Sequence, residues 1–121
     1  MIADAETYRR ALRYAEVACR LEPENGLFLN TLGVARYRCG KYQEAAQTLL
    51  RSDQLNRKRG RPQSGDLAFL AMVYHRLGQD KEARTYLDQL RQRVKDNQSQ
   101  ENQDFLKEVE ALLNAVGPSK R

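Results

Sequence analysis

The sequence predicts an all-α protein built from repeated helix pairs, and internal similarity is the main reason. When the chain is slid against itself by 38 positions, matching residues recur as the pairs Leu29 and Leu67, Leu32 and Leu70, Gly40 and Gly78, and Ala45 and Ala83. An offset of 34 positions aligns Tyr8 with Tyr42, Ala11 with Ala45, and Leu21 with Leu55. The unit is therefore 34 residues, with four extra residues at the second junction, and a period of this length is typical of helical repeat arrays.

The first predicted element is a solo helix over residues 4–22, which has no preceding partner in the repeat pattern. Small residues form a stripe along it at Ala11, Ala15 and Ala18, with Tyr8, Leu12, Val17 and Leu21 around them. Not all of these apolar side chains can face inward at once. Because an exposed apolar patch commonly marks an interface, we expect the chain to be a monomer or a weak homodimer.

Two helix pairs are predicted to follow, over residues 26–55 and 65–95. Apolar residues recur with helical spacing in each segment, and Gly40 and Gly78 provide a stop inside each pair. The small residues Gly33 and Ala71 occupy equivalent repeat positions, where they would allow two helices to approach closely. Between the pairs, residues 56–64 are predicted to form a basic connecting loop.

The last predicted element is a capping helix over residues 102–116. Its apolar residues share one helical face, namely Phe105, Val109, Leu112, Leu113 and Val116. The remaining faces are polar. A repeat array needs such a helix, because one face covers the last repeat and the other meets water.

Composition narrows the function classes. The chain has 121 residues and a formal net charge of +5, which suits one small domain. It has no apolar run of the roughly 20 residues needed to span a bilayer and no signal-peptide pattern, so we expect a cytoplasmic protein without membrane association. The sequence has one histidine and two isolated cysteines, and it has no phosphate loop or nucleophile motif. We therefore expect no enzymatic activity, no metal and no cofactor. Cys19 and Cys39 are predicted to be buried free thiols.

Residues of the repeat pattern carry a family resemblance. The sets Leu32-Gly33, Tyr37, Gly40, Ala45 and Leu70-Ala71, Tyr74, Gly78, Ala83 resemble the tetratricopeptide repeat (TPR) motif. The segment ALRYAEVACRLEPEN resembles the second helix of such a repeat. The resemblance covers residues 5–95 and implies a TPR-type right-handed αα superhelix of about two and a half repeats with a C-terminal capping helix.

The order of the segments is also similar to the C-terminal TPR blocks of planctomycete multidomain proteins, such as serine/threonine kinases and WD-repeat proteins. The chain itself contains no kinase motif. This resemblance implies a module of a larger protein.

The TPR resemblance further implies a non-catalytic protein–protein interaction scaffold. In the family, the first helix of each pair lines a concave groove that binds a peptide or protein segment. By position, the predicted groove residues are Asn30, Val34, Tyr37, Arg38, Ala68, Met72, His75 and Arg76. Arg38 and Arg76 share one repeat position, and guanidinium groups bind carboxylates in two contacts, so a partner with an acidic segment is expected. The alternative is that both arginines are solvated rim residues.

A second hypothesis concerns the basic stretch NRKRGRPQSG. A DNA-binding hook inserts cationic side chains into a narrow A·T minor groove. This stretch has suitable cations at Arg57, Lys58, Arg59 and Arg61, interrupted by Gly60. The stretch lies at a repeat junction, however, where Gly, Pro and polar residues have structural reasons to occur. Weak DNA binding is therefore kept as the alternative function, and nucleic acid is not the expected partner.

Overall fold

A computed structural model describes residues 4–115 of the chain, and this part folds into six α-helices without a strand. The helices are α1 (Ala5–Leu21), α2 (Gly26–Arg38), α3 (Tyr42–Lys58), α4 (Ser64–Arg76), α5 (Asp80–Asp96) and α6 (Gln100–Leu113). The prediction of an all-α fold is confirmed. No helix in the described residues is long and apolar enough to cross a membrane.

The helices repeat with the offset that the sequence suggested for the two pairs. α2 begins at Gly26 and α4 at Ser64, whereas α3 begins at Tyr42 and α5 at Asp80. Each helix of the second pair thus starts 38 residues after its counterpart in the first pair. The members of each set also have equal lengths, 13 residues for α2 and α4 and 17 for α3 and α5. The described part of the chain is thus compatible with a helical repeat.

The helix boundaries differ from the predicted ones at the connection between α3 and α4 and at the start of α6. The predicted loop 56–64 is shorter than expected, because residues 56–58 continue α3 and Ser64 already belongs to α4. The predicted 34-residue unit with four extra residues at this junction is not seen in the helices, because α3 begins 37 residues after α1 and α5 begins 38 residues after α3, and all three helices are 17 residues long. The predicted capping segment 102–116 begins earlier as α6, at Gln100, and Val116 lies outside the described residues.

Gly60 explains where α3 stops. Its φ is +72°, in the left-handed region, which glycine adopts without steric cost. The Gly60 N–H donates to the Arg57 carbonyl at 3.0 Å, and the Arg61 N–H donates to the Asn56 carbonyl at 2.8 Å. These two bonds are the Schellman pattern that satisfies the last carbonyls of a helix. Gly40 and Gly78 end α2 and α4 in the same way.

The hydrophobic core has two parts. The smaller joins α1 to α2 through Leu12, Ala15, Leu32 and Ala35. The larger extends from Tyr37 through α3, α4 and α5 to α6, with fully buried residues such as Leu49, Leu67, Leu70, Leu87, Leu90 and Val109. α4 is the central helix, because it packs against α2, α3, α5 and α6.

The outer face of α1 remains exposed in the single chain. Leu12 and Ala15 face α2 and are buried, whereas Tyr14 is 70% exposed, Val17 45% and Leu21 77%. Leu12 belongs to the core between α1 and α2, so a substitution there would disturb the fold as well as any contact between copies. The choice between a monomer and a weak homodimer stays a prediction, and Val17 and Leu21 are the residues to test it with.

Gly33 marks the closest approach between α2 and α3. A Cβ atom at this position would lie 2.5 Å from Leu49 Cγ and 2.6 Å from Leu49 Cδ2. Leu49 is fully buried, and the close packing of a protein core leaves a displaced side chain little room. In the second pair Ala71 occupies the equivalent position and is itself fully buried, so only the first pair needs glycine here.

We expect Gly33→Ala to destabilise the protein by about 1–3 kcal/mol, the usual cost of overpacking a well-filled core. At an exposed helix position the same change would stabilise by up to about 1 kcal/mol through helix propensity. Gly65→Ala is the matched control, because a Cβ there meets its nearest atom at an ordinary 3.5 Å. Urea unfolding followed by circular dichroism measures both, and a Gly33→Ala chain as stable as the control would contradict the close approach.

Candidate functional site

A large cavity lies where the N-terminal ends of α2, α4 and α6 meet. It has a volume of about 1060 Å³, at the upper end of the range typical for ligand sites. We call it the junction cavity. It is lined by Glu22, Pro23, Glu24, Asn25, Gly26, Leu27, Asn30, Asn56, Arg59, Arg61, Pro62, Gln63, Ser64, Gly65, Arg93, Asn97, Ser99, Glu101, Asn102 and Phe105.

Behind the cavity, Asp66 of α4 is fully buried and joins three helices. Asn30 Nδ2 of α2 donates to Asp66 Oδ1 at 2.7 Å, and Asn56 Nδ2 of α3 donates to Asp66 Oδ2 at 3.0 Å. Ser52 Oγ lies 2.8 Å from Asp66 Oδ1. We call Asn30, Ser52, Asn56 and Asp66 the Asp66 network. Since Asn30 and Asn56 also line the cavity, the network forms its floor.

Burial raises the pKa of the Asp66 carboxyl, and the negative charge of Asp53 raises it further. The hydrogen bonds from Asn30, Asn56 and Ser52 act in the opposite direction, because they favour the ionised form. The net direction is upward. Asp66 therefore holds a proton more firmly in the folded chain than an exposed aspartate does.

Ser52 allows the network to accept that proton. Its Oγ lies near Asp66 Oδ1 and also 3.0 Å from the Gly26 carbonyl oxygen, but a hydroxyl has a single hydrogen to donate. An ionised Asp66 takes this hydrogen. A protonated Asp66 can instead donate to Ser52 Oγ, while Ser52 donates to Gly26. Gly26 must be glycine here, because a Cβ would overlap Asn56 Oδ1.

The walls of the junction cavity combine opposite charges with amide groups. Arg59, Arg61 and Arg93 lie among the lining residues, as do Glu22, Glu24 and Glu101. Arg93 Nε donates to Ser64 Oγ at 3.2 Å, which ties α5 to the start of α4. The side chains of Asn25 and Ser99 accept from backbone N–H groups of α2 and α6, whereas Gln63 forms no such cap on α4.

The predicted nucleic-acid loop is divided by the structure. Arg57 lies on α3, where its Nε donates to the Asp53 carboxylate at 2.8 Å and its NH2 group to Gln89 Oε1 at 2.8 Å. Lys58 is the last residue of the same helix. Only Arg59 and Arg61 belong to the connection, and both line the junction cavity. The predicted basic loop 56–64 is therefore wrong at its start, because Arg57 and Lys58 lie on a helix. Contact of these cations with nucleic acid stays a prediction.

The structure also differs from the predicted peptide-binding groove. Ala68 and Met72 are fully buried, and Tyr37 is buried against Tyr42 and Phe69 with ring centroids 5.6 and 5.7 Å away. They cannot contact a peptide, so their assignment to an open groove is wrong. Ala68 and Met72 are buried because α4 packs against α2, α3, α5 and α6, whereas Tyr37 packs against rings of α3 and α4. Val34 is partly buried against the same core.

The other predicted groove residues keep some exposure but do not form one site. Arg38 lies over the rings of Tyr37 and Phe69 and pairs with Glu108 at 3.2 Å. Arg76 Nε donates to the Tyr37 hydroxyl at 3.3 Å.

His75 Nδ1 lies 3.7 Å from Asp80 Oδ1, beside a small cavity of about 70 Å³. Asn30 is the one predicted groove residue in the junction cavity.

Sequence reasoning missed the Asp66 network and Arg93. One signal was available: Ser52 and Asn56 are polar residues that continue the buried face of α3 after Ala45 and Leu49. Polar groups at buried helical positions need partners, which pointed to an unseen hydrogen-bond acceptor. Within residues 4–115 no group of three or more His, Cys, Asp or Glu side chains could hold a metal ion.

Comparisons with protein-family models, with curated proteins and with solved structures find no match for this chain.

Proposed function

We propose that the chain is a TPR-type, non-catalytic interaction module that binds an extended segment of a partner protein in the junction cavity. The observation that carries the proposal is the cavity itself, about 1060 Å³ in volume. The TPR assignment rests on the equal helix offsets, on the glycine stops at equivalent positions and on the packing of α4 against both α2 and α6.

The lining suits a peptide backbone. Asn25, Asn30, Gln63, Asn97 and Asn102 lie along the cavity. Each amide side chain has a donor and an acceptor; Asn25 uses both within the protein, and the other four use one each. The second group of those four can meet an N–H or C=O group of a peptide backbone. A peptide bound in this way needs few side-chain pockets, because its main chain supplies most of the hydrogen bonds.

Three arginines of the cavity lining can bind an acidic group of the partner, and three glutamates share the same lining. Arg59, Arg61 and Arg93 provide guanidinium groups that can bind carboxylates in two contacts. The floor is fixed by the Asp66 network, so little ordering is needed on binding. A preorganised site binds more tightly than a mobile one, because fewer side chains lose freedom on association.

The proposal is tested by selecting peptides from a random displayed library on the immobilised chain. The affinity of each selected peptide, made as a free labelled peptide, is then measured by fluorescence anisotropy. Gly65→Gln fills the cavity without a charge change, since a Cβ at Gly65 fits without overlap. We expect it to weaken binding by about tenfold or more, the equivalent of about 1.4 kcal/mol.

Ala111→Gln is the matched control, because Ala111 is an exposed residue of α6 outside the cavity lining. It should leave the affinity unchanged. A selection that yields no binding peptide, or peptides that bind Gly65→Gln as well as the unmodified chain, would overturn the proposal.

The DNA alternative is tested with the same protein. It requires salt-sensitive retention on an A·T-rich duplex that is lost in Arg59→Ala/Arg61→Ala. Gly60 counts against it, because in this chain the glycine ends α3, and a helix end explains its presence without any groove contact.

A further inference from the structure

A second cavity lies between the N-terminal half of α1 and the turn that joins α2 to α3. Its volume is about 520 Å³, and we call it the α1 pocket. Tyr8, Leu12 and Cys39 give it an apolar interior. Leu12 is buried, whereas Tyr8 and Cys39 are half-buried, so the pocket is open to a side chain that enters from solution.

Cations surround this interior. Arg9 and Arg13 come from α1, Arg38 from the end of α2 and Lys41 from the turn. None of the described residues that line the pocket is acidic. This separates the α1 pocket from the junction cavity, where three arginines face three glutamates.

The arginines have partners that an incoming group can replace. Glu6 accepts from Arg9 at 2.9 Å and lies 3.7 Å from Arg13, and Glu108 pairs with Arg38. The Arg9 and Glu6 side chains are 57% and 53% exposed. Exposed ion pairs of this kind contribute little to the stability of a protein. Exchange of these partners for carboxylates of a ligand therefore costs little.

We propose that the α1 pocket docks a short acidic segment of a partner protein, in which a large apolar side chain enters the pocket and flanking carboxylates meet the cationic rim. The cations stand on three separate segments of the chain, so one carboxylate could reach only some of them. Several carboxylates spaced along a peptide match this arrangement better than a single anionic headgroup. The surface is distinct from the junction cavity and does not depend on the function proposed for it.

The probe for this surface is the labelled peptide Glu-Asp-Leu-Phe-Asp-Glu, blocked at both ends, with its affinity measured by fluorescence anisotropy. We expect binding that weakens about tenfold when serines replace its Leu and Phe, because burial of a large apolar side chain stabilises the complex and serine has little apolar surface to bury. We expect a similar loss for the protein variant Arg13→Gln/Lys41→Gln. The charge-matched control Arg51→Gln/Lys81→Gln, with both residues exposed and outside the pocket, should bind as the unmodified chain does.

Cys39 gives a second readout from inside the pocket. In a Cys19→Ser background, which leaves Cys39 as the only cysteine, bound peptide should slow the reaction of the Cys39 thiol with a disulfide reagent at least about fivefold. Serine preserves the donor that Cys19 Sγ offers to the Phe28 carbonyl. Absence of peptide binding, equal binding of the serine peptide, equal loss in both charge variants, or an unprotected Cys39 would each overturn the proposal.

Discussion

A chain that ends at Asp96, and so lacks α6, is expected to lose its cooperative unfolding transition and to self-associate. Val109 and Leu113 of α6 are buried in the main core, and Phe105, Leu106 and Leu112 pack against it. Removing one large buried side chain costs about 2–5 kcal/mol, whereas a whole domain is stable by about 5–15 kcal/mol. Loss of the entire face therefore removes most of the stability.

The deletion also uncovers apolar surface on the remaining helices. α6 packs on α4 and α5, and the residues buried in this part of the core include Met72, Leu87 and Leu90. Their exposure should make the shortened chain associate. Differential scanning fluorimetry and light scattering measure the two effects. A shortened chain that melts at the unchanged temperature and stays monomeric would show that α6 does not cover the core.

Single substitutions in α6 test its contribution to stability in smaller steps. Leu113→Ala should cost about 2–5 kcal/mol, because Leu113 is buried. Lys107→Ala is the matched control on an exposed face of α6 and should change stability by less than about 0.5 kcal/mol. If both variants were equally stable, the apolar face of α6 could not be the part that holds it to the core.

The helical fold could be predicted because its signals are local. Apolar residues at helical spacing and the glycine stops at Gly40 and Gly78 are visible in a short window of sequence. The end of α3 was misjudged because Asn56, Arg57 and Lys58 look like a polar loop. Cations in the last turn of a helix are in fact favourable, since they face the negative end of its dipole. The stop was Gly60, a few residues later.

The candidate site was harder to predict because it depends on which helices meet. Ala68 and Met72 belong to the first helix of a pair, the position that would line a groove, but both are buried because α4 packs against four other helices. Nothing local to α4 shows this. Asn30, Ser52 and Asp66 likewise come from three different helices, and only the packing of those helices brings them to one point.

Asp66→Ala is expected to destabilise the chain by about 2–4 kcal/mol. The substitution removes the acceptor for Asn30 Nδ2 and Asn56 Nδ2, and a buried donor left without a partner costs about 1–3 kcal/mol. The loss of a buried carboxylate offsets part of this, because its desolvation is no longer needed. Urea unfolding measures the difference. Asp80→Ala is the control, since the Asp80 side chain is 74% exposed.

The pH dependence of stability isolates the carboxyl of Asp66 from its packing. In the folded chain the pKa of this carboxyl lies above its ordinary value of 3.8, which it keeps in the unfolded chain. At a pH between the folded and the unfolded pKa, the folded state therefore binds more protons than the unfolded state. At a pH below the ordinary pKa, Asp66 therefore makes its full contribution to the free energy of unfolding. That contribution is lost as the pH rises through the pKa of the folded chain. Asp66→Asn has no proton to bind. The stability of the unmodified chain minus that of Asp66→Asn should thus decrease as the pH rises above the ordinary pKa of 3.8, and become flat above the folded pKa, where the carboxyl is ionised in both states. Urea titrations at a series of pH values measure this difference directly. A difference that rises with pH would mean that the three donors outweigh burial and lower the pKa, and a difference independent of pH would mean that Asp66 titrates alike in the folded and unfolded chains.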